Sequence, residues 1–289
     1  MKTPTIEKYP RITVVTPSFN QGKYLEETIE SILNQNYPNL EYIIIDGGST
    51  DGSVDIIEKY ESHLAYWISE KDSGQSEAIN KGFKKATGEL FAWINSDDVL
   101  LPGCLHAIAN RYVLSGYPDI LTGNVIYIDK AGKITRYVRL PRQSNFLFFK
   151  GVWHVSAPAV FFKASLFRDV GGLDFRYHLC MDLDLWVRMI NAGARIEHIK
   201  EYLGGFRWHE YSKSTVASKK GSVRSHPEAV EIFSNYVPNF DPRKLTLWRF
   251  IYKLYQMVNL NYMRACFPCR HVRGEEWWRV FDNGPDGSF

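Results

Sequence analysis

The sequence predicts an α/β fold, with a mostly parallel sheet flanked by helices and a C-terminal helical extension. Two observations lead to this prediction. The first hundred residues alternate short apolar runs with segments of helical periodicity, and each apolar run ends in polar residues and glycine. Because such sheets bind ligands beyond the carboxyl ends of their strands, we expect these polar endings to form one cleft.

The four predicted strands of this first half occupy residues 12–16, 41–45, 64–68 and 90–94. A helix follows each of the first three strands, and the helix after the first strand carries a clear apolar stripe: Tyr24, Leu25, Thr28, Ile29, Ile32 and Leu33. The run at 90–94 is apolar throughout, which is typical of a strand buried on both faces.

The fourth strand ends on Asn95-Ser96-Asp97-Asp98. Adjacent carboxylates at the end of a buried strand repel each other and are costly to desolvate unless a cation or several donors compensate them. Mg²⁺ or Mn²⁺ is the usual compensation, because either ion binds one or two carboxylates and fills its remaining positions with water and phosphate oxygens. The alternative is that these residues only cap the helix that follows residue 101.

Two common phosphate-binding motifs are missing from the sequence. No G-x-x-x-x-G-K-[ST] loop occurs, and residues 46–52 do not fit G-x-G-x-x-G. ATP-driven phosphoryl transfer and nicotinamide chemistry are therefore disfavoured. A divalent ion at residues 95–98 offers another way to hold a diphosphate.

Composition excludes some partners and locations. The net charge of +3 is too small to indicate a nucleic acid partner. Residues 1–10 have no apolar core of a signal peptide, and no apolar run is long enough to span a bilayer. We therefore expect a cytoplasmic protein, with the inner face of the membrane as a second option. The Cys266 and Cys269 pair, with His271 nearby, is at most half of a zinc site.

After residue 102 the regular alternation of predicted strands and helices ends. Residues 120–129 and 134–140 predict a β-hairpin, 159–162 and 195–199 predict further strands, and a helix is expected from residue 182. Trp153 could be a sugar platform or a core residue, and His154 is a weaker candidate. The stretch from 206 runs into a loop without periodicity to about residue 225, which is typical of a functional lid or of a partly disordered segment.

Five motifs stand in a fixed order along the chain: PSFNQ at 17–21, IIIDGGSTDGS at 43–53, SEKDSGQSEAINKGFKKATGE at 69–89, WINSDD at 93–98 and MDLDLWVRM at 181–189. Together they resemble the sugar-nucleotide-dependent family 2 glycosyltransferases of the GT-A fold. The resemblance covers roughly residues 11–210. It implies transfer of a sugar from a nucleoside diphosphate donor.

The resemblance also implies roles for individual residues. Asp46 would read the base; the alternative is a turn residue that bonds the backbone of Gly48 or Ser49. The full set expected to contact the nucleotide sugar is Thr16, Pro17, Asn20, Asp46, Lys71, Asn95, Ser96 and Asp97. Lys71 has a simpler alternative as a solvated surface lysine.

The family resemblance also implies a set of metal ligands. The family pattern D-x-D falls on Asn95-Ser96-Asp97, so Asp97 is the first candidate ligand and Asp98 the second. In related enzymes a histidine and basic residues close over the pyrophosphate. His209 is therefore a further metal candidate, and Lys213 is a candidate phosphate contact.

Two carboxylates compete for the role of catalytic base. The family's Glu-Asp pair falls on Met181-Asp182, which favours Asp182 and leaves the glutamate missing. Asp184 is four residues before Arg188, a spacing that predicts an ordinary surface ion pair. The alternative for Asp182 is a helix N-cap.

The C-terminal part, outside the resemblance, contains a predicted helix near residues 244–264. Its predicted apolar face consists of Leu247, Trp248, Ile251, Leu254, Tyr255 and Val258. We expect this face to dock on the catalytic domain; an in-plane membrane helix and a dimer contact are the alternatives. The predicted domains are 1–225, with a nucleotide half to about residue 100 and an acceptor half after it, and a helical extension at 226–289.

The predicted function is metal-dependent, inverting sugar transfer from a nucleoside diphosphate sugar, with UDP expected, to a hydroxyl of a glycan or lipid-linked glycan. Polysaccharide biosynthesis at the cell surface is the expected setting. One rival, a sugar nucleotidyltransferase, should carry a loop rich in Gly and Arg or Lys after its first strand, where this chain has PSFNQG. The other rival is a non-catalytic sugar-binding scaffold.

Overall fold

A computed structural model describes residues 9–140, 148–150, 157–210, 212–213, 226–258 and 274–281. Several residues considered above lie outside these ranges: Trp153, His154, Cys266, Cys269 and His271. The same holds for most of the predicted lid between residues 206 and 225.

The described chain forms nine strands in one sheet. Their bounds are β1 Ile12–Ser18, β2 Leu40–Asp46, β3 Tyr66–Ser69, β4 Leu90–Trp93, β5 Val99–Leu100, β6 Ile120–Ile128, β7 Ile134–Val138, β8 Val160–Lys163 and β9 Ile196–Arg207. The predicted hairpin is the β6–β7 pair. The final strand is longer than predicted, because it continues past residue 199 through the Gly204-Gly205 pair to Arg207.

The sheet order is β3-β2-β1-β4-β8-β6-β9-β5, with β7 paired to β6. The first four strands are mutually parallel. Strand β8 is antiparallel to both β4 and β6, so β6 and its parallel neighbour β9 run in the direction of β4. Among the described strands only β5, β7 and β8 run the other way. The prediction of a mostly parallel sheet is therefore confirmed.

Nine α-helices accompany the sheet in the described ranges. They are α1 Gly22–Leu33, α2 Ser53–Lys59, α3 Gln75–Lys85, α4 Cys104–Leu114, α5 Ala164–Asp169, α6 Met181–Asn191, α7 Pro227–Tyr236, α8 Leu245–Val258 and α9 Trp277–Phe281. None of the described helices is long and apolar enough to cross a membrane.

Strands β1, β2 and β4 are buried on both faces, and the alternating side chains of β1 and β2 contribute to two core layers. Val15 and Ile45 face the layer of α3 and α6, while Val14 and Ile44 face the layer of α1 and α4. Helix α3 lies close to the sheet because residue 82 is glycine: a Cβ there would stand 2.5 Å from Cγ1 of Val15. This packing fixes the strand ends where the polar turns begin.

Helix α7 belongs to the same core as the strands. Its residues Ala229, Ile232 and Phe233 are buried in the layer of α3 and α6. The division of the chain at residue 225 remains a proposal, and we would now place the boundary after α7, because a cut before it would split this core.

Helix α8 corrects the predicted docking of the C-terminal helix. Leu245, at its start, is buried, but Leu247, Ile251 and Leu254 are exposed. Of the four residues of the predicted apolar face whose side chains the structure describes, three are thus exposed and Trp248 is partly exposed.

Candidate active site

The carboxyl ends of β1, β2 and β3 are joined by hydrogen bonds around Asp46. Its Oδ2 accepts from the Gly48 and Ser49 N–H groups at 3.1 and 2.8 Å and from the Ser69 hydroxyl at 2.7 Å. Its Oδ1 accepts from the Ser49 hydroxyl. The hydrogen bonds expected of a turn residue are thus present. The fully buried Asp46 carboxylate organises the loop that follows β2.

The loop after β1 is tied to the same turn. Asn20 adopts a left-handed backbone with φ of 51°. Its N–H donates to the Ser49 hydroxyl at 2.8 Å, and its Oδ1 accepts from the Thr50 N–H at 2.9 Å. Thr16 and Pro17 are buried beneath it, with the Thr16 hydroxyl 3.1 Å from that of Tyr42, whereas Lys71 is exposed at the end of β3.

The Asn95–Asp98 turn follows β4, as predicted, and Asp98 points inward. Its Oδ2 accepts from the Asn95 side-chain amide at 3.0 Å and its Oδ1 from the Arg207 backbone N–H at 2.9 Å. Burial and the neighbouring Asp97 carboxylate raise the pKa of Asp98. A buried carboxylate beside a second one is an arrangement that a cation would stabilise.

Asp97 meets His209, which lies 112 positions later in the chain. Asp97 Oδ2 and His209 Nε2 are 2.8 Å apart, and the imidazole ring packs on Tyr24 of α1 with a centroid distance of 4.9 Å. Ser96, between Asn95 and Asp97 in the turn, is buried. The Asp97 carboxylate and the His209 imidazole are suitable donors for a first-row divalent ion.

Gln75, at the start of α3, links this turn to the far side of the cleft. Its Nε2 donates to Asn95 Oδ1 at 2.6 Å, and its Oε1 accepts from Lys213 Nζ at 3.0 Å. Lys213 therefore lies at the cleft, as a phosphate contact would require. Gln75 lies in the motif at 69–89 but was not singled out from the sequence, because its role depends on partners from two other segments.

Arg207, the last residue of β9, holds the acidic turn from behind. Its buried guanidinium donates to the backbone oxygens of Asp97 at 2.8 Å and Asp129 at 3.2 Å, and to Glu27 Oε2 at 2.6 Å. The other oxygen of Glu27 accepts from the Trp277 indole N–H at 2.6 Å. Arg207 thus joins the acidic turn, the hairpin and α1, and its partner Glu27 extends the connection to α9.

We expect Arg207→Met to lower the free energy of unfolding by about 3 kcal/mol, because loss of the buried guanidinium leaves two backbone oxygens and the partly buried Glu27 carboxylate without their donor. Urea denaturation measures the change. Arg111→Met is the matched control, since the Arg111 guanidinium is half-exposed and 3.8 Å from Glu197. The control should cost at most about 1 kcal/mol. Equal losses in the two variants would contradict this account of Arg207.

Asp182 and Asp184 occupy different environments at the start of α6. The N-cap of α6 is Cys180, so Asp182 is in the first turn, and its Oδ1 accepts from the Leu183 N–H at 2.8 Å. Burial raises the pKa of Asp182 to about 6. The N-cap alternative for Asp182 is therefore not observed.

Asp184 corrects the sequence interpretation. Its side chain is fully buried, and Arg188 donates to its Oδ2 from Nε at 2.9 Å. Arg188 also donates to the backbone oxygens of Val170 and Gly172 at 2.6 and 2.7 Å. The predicted surface ion pair is thus a buried structural pair, which leaves Asp182 as the carboxylate that a substrate could use.

Glu228, in the first turn of α7, anchors the segment that leads into α6. Its carboxylate accepts from the backbone N–H groups of His178 at 3.3 Å, Leu179 at 3.0 Å and Cys180 at 2.9 Å. These bonds fix the chain two residues before Asp182. Sequence analysis missed Glu228 because it lies outside the recognised motifs.

The fold is that of GT-A glycosyltransferases. It resembles TarS residues 1–349 from S. aureus in complex with UDP-GlcNAc, with a TM-score of 0.60 and 18% identity over 80% of this chain and 67% of that one. It also resembles the mannosyltransferase PcManGT from Pyrobaculum calidifontis in complex with GDP-Man and Mn²⁺, with a TM-score of 0.59 and 20% identity over 84% of this chain and 69% of that one. At these identities the likeness concerns the fold.

The chain belongs to glycosyl transferase family 2, whose family model matches residues 13–171. An uncharacterized glycosyltransferase of Rickettsia felis is 26% identical over 77% of this chain and 37% of its own length. Glycosyltransferase GlyG of Streptococcus pneumoniae is 33% identical over 42% of this chain and 40% of its own. The chain thus spans well under half the length of these two relatives.

Proposed function

We propose that this chain is an inverting glycosyltransferase that moves a sugar from a nucleoside diphosphate donor to a hydroxyl of a glycan. The observation that carries the proposal is the Asp97–His209 pair, a carboxylate oxygen 2.8 Å from an imidazole nitrogen beside the loops that follow β1, β2 and β3. In parallel sheets these loops form the ligand crevice. Family membership supports the same activity.

Asp97 and His209 are the side chains that would hold the metal. The donor set favours Mn²⁺ over Mg²⁺, because imidazole suits softer ions than the all-oxygen sites of Mg²⁺. When bound, the ion would offset the negative charge of the departing diphosphate. Asp98, whose oxygens are engaged by Asn95 and Arg207, would support the turn and increase its attraction for the cation.

Asp182 would act as the general base. Its carboxylate takes the proton of the acceptor hydroxyl, the acceptor oxygen forms a bond to the anomeric carbon, and the bond from that carbon to the diphosphate breaks. A single displacement of this kind inverts the anomeric centre. A pKa of about 6 leaves Asp182 ionised at neutral pH while keeping it a stronger base than an exposed aspartate.

Residues of the nucleotide half would hold the donor. We assign the base and ribose to Thr16, Pro17, Asn20 and the turn organised by Asp46, and the diphosphate region to Lys71, Asn95, Ser96 and Lys213. Solved structures of similar fold contain UDP, UDP-GlcNAc or GDP-Man. We propose a UDP-sugar as donor and a glycan or lipid-linked glycan, as in polysaccharide biosynthesis, as acceptor.

A thermal-shift screen of nucleotide sugars with and without Mn²⁺ tests this function. We expect UDP-sugars to raise the melting temperature, more so with Mn²⁺, because a ligand that binds only the folded state stabilises it. A positive donor is then tested for release of the nucleoside diphosphate in the presence of acceptor glycans. Binding without turnover on any acceptor would favour a scaffold, and release of inorganic pyrophosphate from UTP and a sugar phosphate would favour a nucleotidyltransferase.

A further inference from the structure

Helix α8 carries four large apolar side chains that are exposed along one face. Leu247, Phe250, Ile251 and Leu254, here called the apolar stripe, are 53%, 58%, 40% and 44% exposed. Their spacing of i, i+3, i+4 and i+7 places them together on one side of the helix. A contiguous apolar surface of this kind indicates an interaction site rather than an ordinary solvent face.

The opposite side of α8 attaches it to the protein. Leu245 is buried, Trp248 is only partly exposed, and the Lys150 ammonium lies 5.5 Å from the centroid of the Trp248 ring. The helix is thus held at one side while the apolar stripe is presented at the other.

The sequence around the stripe is strongly basic. Residues 242–273 contain seven Lys or Arg residues and no Asp or Glu. The whole chain has a net charge of +3, so the remaining residues together carry −4. The positive charge of this protein is therefore concentrated in the segment that also bears the exposed apolar face.

From these two properties together, we propose that the apolar stripe lies in the interface of an anionic lipid bilayer, with α8 parallel to the membrane plane. A helix with an apolar face inserts that face below the headgroups, and Lys and Arg are attracted by anionic lipids. A second copy of the chain fits less well, because a twofold contact through this segment would bring its basic residues against each other. The inference does not depend on the sugar-transfer chemistry.

Vesicle co-sedimentation of the full chain tests the proposal, with vesicles of phosphatidylcholine alone and of phosphatidylcholine mixed with phosphatidylglycerol. We expect the chain to bind the anionic vesicles, and binding to weaken at high salt because the charge attraction is screened. A variant with all four stripe residues changed to serine should bind the anionic vesicles about 10-fold more weakly or worse, since each substitution removes apolar area that the membrane would cover.

The matched control combines Leu114→Ser and Phe175→Ser, which remove large apolar side chains that are equally exposed elsewhere. The control should bind anionic vesicles like the wild type, and both variants should keep UDP binding. Wild-type protein that ignores anionic vesicles, or a stripe variant that binds them undiminished, would overturn the proposal. So would a wild-type dimer in sedimentation equilibrium that the stripe variant converts to monomer. Vesicle binding without nucleotide binding would refute only the enzymatic function.

Discussion

Asp182→Asn is expected to lower the rate of sugar transfer by about 10²-fold or more, because it removes the group assigned to take the acceptor proton. Donor binding should be nearly unchanged, since the donor is assigned to the loops after β1 to β4. Turnover is measured with donor and acceptor saturating, and donor affinity by calorimetric titration. The amide retains the shape of the carboxylate, so a loss of turnover reports the chemistry.

The same substitution is expected to stabilise the protein at neutral pH. The pKa of Asp182 is raised to about 6 in the folded state from 3.8. Between these pH values the folded state holds a proton that the unfolded chain has released, so this group's contribution to stability falls as pH rises. Above pH 6 the folded protein carries the full cost of the partly buried charge, which asparagine removes.

Asp184→Asn is the control for Asp182→Asn, because we expect it to lower stability and to retain turnover. It weakens the buried pair with Arg188, so it should lower the free energy of unfolding while leaving turnover measurable at temperatures where the variant is folded. An inactive Asp184→Asn beside an active Asp182→Asn would reverse the assignment of the base.

The wild-type transfer rate should rise with pH through about 6 as Asp182 ionises.

Asp97→Ala is expected to weaken UDP binding in Mn²⁺ by about 10²-fold, to the level of the wild type in EDTA, because the metal contributes a few kcal/mol of charge stabilisation at the diphosphate. Calorimetric titration of UDP with Mn²⁺ and with EDTA measures both values. The fold should survive, because Arg207 bonds the backbone oxygen of Asp97 and not its side chain.

Asp98→Asn tests whether Asp97 or Asp98 is the carboxylate that binds the metal ion. Its oxygens already accept from Asn95 and Arg207, so we expect this variant to keep its response to Mn²⁺. A metal response that persists in Asp97→Ala and disappears in Asp98→Asn would assign the ion to Asp98. UDP affinity in the wild type that EDTA does not change would remove the metal from the proposal.

The nucleotide half of the fold could be predicted from the sequence because its signals are local. Strands β1, β2 and β4 are short segments rich in apolar residues, each followed within a few residues by the turn that reaches the cleft. Parallel strands place such turns on one edge, so the grouping of Asn20, Asp46 and Asp97 needed no knowledge of packing. Asp182 and His209 became candidates through the family resemblance.

Only the tertiary structure decided what surrounds these residues. Arg207 and its partner Glu27 are 180 positions apart, and Glu228 is 48 positions from the N–H of Cys180 that it accepts. Periodicity assigns a side chain to a face but does not say whether another element covers that face. For that reason Asp184, predicted to lie at the surface, is buried in a structural pair, whereas Leu247 and Ile251 of α8, predicted to dock, are exposed.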